Sequence, residues 1–129
     1  MSGISSIVKD SIDMHYHIGP DILPRRDTVE SLLKNEQGKI TGIALKSHGF
    51  PTISVINTIE KKPEFPFLIG SITLNYFMGG FNPSAIYASA TMSKGAPIIV
   101  WFPTIHAENH LLKNHSEYEI PPEWVRDPK

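Results

Sequence analysis

The stretch Ile12-Asp13-Met14-His15-Tyr16-His17-Ile18-Gly19-Pro20-Asp21 decides the fold. Polar and apolar residues alternate up to two histidines spaced i, i+2, and a Gly-Pro breaker follows at once. In a β-strand, residues i and i+2 point to the same face. The two imidazoles therefore project side by side from a strand end, where a single cation can take both. The breaker stops the strand just beyond them. This strand is expected over residues 11–18, after a polar lead over residues 1–10 that suits the bottom of a sheet.

Working outward, the same unit recurs. After a Pro- and Arg-containing loop, Asp27 and Glu30 suit a capping box for a helix with the stripe Val29, Leu32 and Leu33, closed by Gly38. A second strand over 40–46 holds the continuous apolar run Ile43-Ala44-Leu45, as expected for burial on both faces. Pro51-Thr52 opens a helix with Ile53, Ile56 and Ile59. A third strand is expected over 67–74. Asn82-Pro83 caps a further helix whose inward residues are Ala85, Ile86, Ala90 and Met92, stopped by Gly95. A fourth, almost wholly apolar strand spans 97–102, with Trp101 and Phe102 as core. A short helix starts near Thr104 or Ile105. Four β-α units in sequence make an α/β fold with a parallel four-stranded sheet. Residues 1–115 form this unit, and 116–129 form a polar, proline-rich tail.

Composition narrows the function. The chain has 129 residues, a formal net charge of -1 and no cysteine. Disulfides are excluded, and a metal would need nitrogen and oxygen ligands. The mixed charge gives no reason to expect nucleic acid or an anionic membrane as partner. No signal pattern or membrane-length apolar run is present, so a cytoplasmic location is the expectation.

In α/β folds, ligands sit beyond the carboxyl ends of the strands. All six histidines fall at or just past such ends: His15 and His17, His48, then His106, His110 and His115. His15 and His17 are the leading metal pair, with His48 and His106 as further ligand candidates. His106 and His110 have helical i, i+4 spacing, but His-Ala-Glu-Asn-His is not the zinc-protease motif. His115 is read as solvated. Lys46 ends a strand built for burial, where a cation needs a partner. Its alternatives are a snorkelling strand-end lysine and a contact for a substrate anion. Arg25 could clamp the same kind of anion. Asp13 is expected to orient the ligands from behind, with His110 in a similar supporting place. Gly79-Gly80 matches no phosphate-loop pattern.

Asp13-Met14-His15-Tyr16-His17 resembles the first-strand metal motif of the amidohydrolase superfamily. The segments Ala44-Leu45-Lys46-Ser47-His48, Leu74-Asn75, Gly79-Gly80-Phe81-Asn82-Pro83 and Trp101-Phe102-Pro103-Thr104-Ile105-His106-Ala107 to Asn109-His110 resemble, in order, one amidohydrolase-like group of metal-dependent hydrolases. The resemblance implies the N-terminal half of a TIM-like (β/α) barrel. It also implies a divalent metal, zinc first with manganese or iron as alternatives, and a metal-activated water that attacks a carbonyl-type centre in a small-molecule substrate. His-x-His followed by a histidine after strand two is also similar to the polymerase-and-histidinol-phosphatase phosphoesterases.

A full barrel has eight strands and about 250 residues. The histidines after strands five and six and the aspartate after strand eight have no counterpart here. Lys46 follows strand two, whereas the family's bridging lysine follows strand four. Half a barrel leaves two parallel-type edges open, so the expected partner is a second copy or a missing second barrel half. A different outcome is a catalytically inactive half barrel that acts only by self-association.

Overall fold

The computed structural model describes residues 2–113. Four parallel strands lie in the order β1-β2-β3-β4: β1 Ile12–His17, β2 Gly42–Lys46, β3 Phe67–Thr73 and β4 Ile98–Trp101. The lead is a helix, α1 Ser2–Lys9, followed by α2 Val29–Glu36, α3 Ile53–Ile56, α4 Pro83–Met92 and α5 Glu108–Lys113. Strand order that follows chain order differs from a doubly wound sheet, in which the order reverses at a switch point. Crossovers between parallel strands are right-handed as a rule, which returns successive helices to one face.

That face holds the core. Ile18, Ile43 and Leu45 pack with Val29, Leu32 and Leu33 of α2, and Tyr16, Val55, Ile56 and Leu68 close around them. Gly70 lies so near α3 that an added Cβ would come within 2.9 Å of Ile53 Cβ, so the missing side chain is what lets α3 seat on β3. The opposite face starts with Ile12, Gly42 and Phe67, which are register partners. Ile12 and Phe67 are 43% and 47% exposed there. The same face ends at His17 and Lys46, which also pair.

Two irregularities shape the carboxyl end of the sheet. A bulge between Asp13 and Tyr16 shifts the register of β1, and regular pairing resumes at Tyr16↔Leu45. The β2–β3 ladder runs only to Ala44↔Ile69. Beyond it the fully buried Thr52 is inserted: its Oγ1 donates to Leu45 O (2.9 Å) and accepts from Ser71 N–H (2.8 Å). A side chain thus satisfies backbone groups that a longer ladder would have paired.

Several local expectations are corrected. The α2 capping box is formed by Thr28 and Ser31, not by Asp27 and Glu30. Asp27 is instead buried, and its carboxylate accepts from Tyr16 OH (2.6 Å), Ser31 Oγ (3.0 Å) and Asn35 Nδ2 (3.2 Å). A carboxylate that can reach a tyrosine on the adjacent strand gains more there than as a solvated cap. In α4 the cap is Asn82, accepting from Ser84 and Ala85 amides, as expected. Its buried residue is Ser89, while Ala90 and Met92 face outward. Phe102 is 72% exposed rather than core, because β4 is an edge strand. The short helix α5 begins at Glu108, so His106 precedes it and does not share a helical face with His110. His115 and the 116–129 tail lie outside the described residues. No helix among the described residues is long and apolar enough to cross a membrane.

Candidate metal centre

The strand ends bring together a cluster of nitrogen and oxygen donors. His15 Nε2 and His17 Nε2 are 3.2 Å apart, and the His17 and His48 rings lie 4.9 Å apart between centroids. Two nitrogens bound tetrahedrally to one zinc at about 2.0–2.1 Å would be separated by about 3.3–3.4 Å. The histidine pair already has that span. His17, Asp21 and His48 each offer a ligand atom, and the three atoms lie within 4.8 Å of one another. His17 therefore belongs to both groupings. Its Nδ1 is buried without a hydrogen-bond partner among the described residues.

Asp21 is the functional candidate that the sequence pattern did not single out. It lies four residues past His17, beyond the Gly19-Pro20 breaker, where strand periodicity gives no direction. The loop after β1 folds back, and Asp21 ties it to the loop after β2. Its Oδ1 accepts from the Ile22 amide (2.8 Å), the His48 amide (3.0 Å) and Ser47 Oγ (3.3 Å). Oδ2 is left facing Arg25 (2.8 Å) and His48 Nδ1 (3.2 Å). The side chain is fully buried. Burial alone would push its carboxyl up, but hydrogen bonds from Arg25 and the two amides outweigh that and hold it below the usual carboxylate range. Asp21 is anionic.

The histidines are held neutral. Burial lowers His17 to about 4, with Arg25 and His48 adding repulsion. Burial and then Lys46 lower His15. Burial also lowers His48, with Arg25 adding to it against the opposing pull of Asp21. Neutral imidazoles keep a lone pair for a cation. Nδ1 of His48 accepts from Arg25 Nη2 at 3.0 Å, so that lone pair and Asp21 Oδ2 converge on one guanidinium.

Other sequence candidates take different places. Lys46 is only 3% exposed, with Nζ 3.3 Å from His15 Nε2 and 4.7 Å from the centroid of the Trp101 ring. It is buried against an aromatic face and does not snorkel. Trp101 is accordingly part of the site face, stacked on His15 at 4.8 Å; the apolar run around it had suggested core. Asp13 does not reach an imidazole by a hydrogen bond. Its Oδ1 accepts from the His15 amide (2.9 Å) and so fixes the bulged backbone that presents the pair. His106 stands apart from the His17–Asp21–His48 group. Its Nδ1 accepts from the Tyr76 amide (2.6 Å), and its ring packs against Phe77 at a tilt, 4.6 Å between centroids. The buried Asn75 joins the same corner by accepting from the Thr104 amide (2.9 Å). His110 is partly buried on α5, and its charge adds repulsion at His106.

His106 makes the fold acid-sensitive. Burial, then His48 and His110, lower it to about 4 from an ordinary 6.5. Between those values the unfolded chain binds a proton that the folded chain refuses, so stability falls as pH drops through this window. The slope is about 1.4 kcal/mol per pH unit for each such proton. Urea unfolding at a series of pH values from 7 to 4 is expected to show this loss, with a shallower slope in His106→Asn. A slope that the substitution leaves unchanged would refute the assignment.

A model of a family of unknown function, DUF6282, matches residues 10–127, a span that takes in all four strands and every residue of the donor cluster. No curated protein and no solved structure matches the chain.

Proposed function

For this chain, a member of the DUF6282 family of unknown function, we propose a metal-dependent hydrolase whose divalent cation is held by His17, Asp21 and His48, with His15 alongside. The observation that carries this is the convergence of two neutral imidazoles and one buried carboxylate at a strand end, together with the 3.2 Å span of the His15–His17 pair. The residues fit such a cation in donor type, charge and spacing, and nitrogen with carboxylate oxygen suits zinc first. When bound, the cation supplies an acidified water and polarises the bond to be cleaved. Asp21 balances its charge, while Asp13 and the β1 bulge set where the histidines point. Lys46 and Arg25 are the cations available to an anionic part of the substrate. In the structure Arg25 is engaged by Asp21 and His48, whereas Lys46 has no carboxylate partner among the described residues.

The finer fold belongs to the same proposal: the sheet is half of a (β/α) barrel. A strand order that follows the chain supports it, as do the exposed Ile12 and Phe67 on the site face and the apolar β4 at an edge. In a closed barrel that face would be the filled interior. A second copy of the chain would supply the remaining strands.

The test loads the untagged protein with zinc or manganese and offers simple esters, amides and phosphate esters, while its mass in solution is measured. Expected is hydrolysis of a carbonyl substrate by an oligomer, lost on chelation and in His17→Ala. Phosphate release would favour the phosphoesterase alternative. A metal-loaded oligomer inert toward the whole panel would favour a self-associating, non-catalytic fold.

A further inference from the structure

Lys46 poses a problem that the metal centre does not solve. Its ammonium is buried, yet among the described residues no carboxylate lies within ion-pair distance of it. The one acid of the cluster, Asp21, is already engaged by Arg25, Ser47 Oγ and two backbone amides. A buried cation held by a ring face and one imidazole nitrogen lacks its counter-charge.

Two further donors border the same place. Trp101 Nε1 is buried with no hydrogen-bond partner among the described residues, and it belongs to the ring beneath Lys46 Nζ. Thr73 is fully buried, and its Oγ1 also lacks a partner among the described residues. Thr73 and Trp101 are register partners on adjacent parallel strands, so their side chains leave the sheet on the same side. Three strands thus each bring one donor to a single patch: an ammonium from β2, a hydroxyl from β3 and an indole N–H from β4. Buried polar groups without partners are rare in native structures, and two of them beside an ammonium that has no counter-charge call for an acceptor.

We propose that Lys46, Thr73 and Trp101 form the seat of a carboxylate group carried by a small-molecule ligand. One positive charge and three donors match a monoanion with two oxygens. A phosphate dianion would keep an uncompensated charge in this buried place, and phosphate sites recruit guanidinium forks or helix N-termini. Here the nearby guanidinium of Arg25 is turned to Asp21 and His48. The seat itself needs no metal. It rests on the hydrolase proposal only in making the ligand a substrate, namely a carboxylate-bearing molecule whose scissile bond reaches His17.

The experiment uses the full chain, dialysed against a chelator, and follows the indole N–H resonances by ¹H–¹⁵N correlation spectroscopy as sodium acetate is added. Trp101→Phe identifies the Trp101 signal. That signal is expected to move saturably with acetate and not with sodium chloride at equal ionic strength. Lys46→Met should abolish saturation, and Thr73→Val should weaken acetate binding about fivefold. Dispersed amide spectra show that each variant is folded; should Lys46→Met not fold, Thr73→Val decides. A linear response equal to that of chloride would overturn the seat. So would a saturable one that both substitutions leave unchanged. Inorganic phosphate binding more tightly than acetate would overturn its assignment to a carboxylate. Acetate binding in a chain that never hydrolyses anything would retain the seat and reject the hydrolase, so the two proposals fail separately.

Discussion

In the proposed centre, His17→Ala is expected to abolish the binding of a divalent cation. His17 is the one residue common to both donor groupings: Nε2 faces His15 at 3.2 Å, and the ring lies beside His48 and Asp21. Removing a ligand should cost more than the roughly 10- to 100-fold in affinity lost with a residue that merely supports one. Asp21→Ala should behave alike, since it removes the one anion of the group. His106→Ala should leave binding intact, because that imidazole is committed to the Tyr76 amide. Elemental analysis of untagged protein, followed by calorimetric titration with zinc and manganese, gives the numbers. About one metal per wild-type chain with this order of variants supports the centre. A wild-type chain that stays metal-free after incubation, or one whose metal survives in His17→Ala, would sink it.

How far the sequence exposed this centre depends on how local each signal is. The strands were legible because burial on both faces demands unbroken apolar runs, as in Ile43-Ala44-Leu45, and the His-x-His pair was legible because strand periodicity fixes its direction. Asp21 was not, since its place depends on a loop folding back so that the Ile22 and His48 amides can hold it. Trp101 was hidden for another reason. In an apolar strand an aromatic ring suggests core, and only the lateral register shows that it lies beside His15 and Lys46. The capping of α2 was a contest between neighbours. Asp27 looked like the cap, but Tyr16 from β1 claimed its carboxylate and left the role to Thr28. Tyr16 is pushed up to about 12 by burial and by that same carboxylate, so the bond is one of a neutral phenol to an anion.

The second large effect is expected at Arg25. Its guanidinium reaches Asp21 Oδ2 at 2.8 Å and His48 Nδ1 at 3.0 Å, two acceptors 3.2 Å apart on residues of the proposed centre. Arg25 thus holds two groups of the proposed centre, and a cation bound there would compete with it for them. Arg25→Met keeps the apolar stem and removes the charge, leaving a fully buried carboxylate without its cation. Breaking a buried pair costs about 3–5 kcal/mol. Because Arg25 is 18% exposed and Asp21 keeps its amide donors, the loss falls at or just below the bottom of that range, about 2–3 kcal/mol. The sign reverses with metal present. Asp21 and His48 no longer have to give up a guanidinium, so zinc should bind more tightly to Arg25→Met than to wild type. Binding to the folded state alone then restores stability in proportion to the logarithm of free metal over its dissociation constant. Chemical denaturation of both chains, with chelator and with zinc, measures both halves. A variant that is destabilised alike in the two conditions would show that Arg25 only buttresses the loop. One that is destabilised without metal and rescued by it would show that Arg25 and the cation compete for the same two ligands.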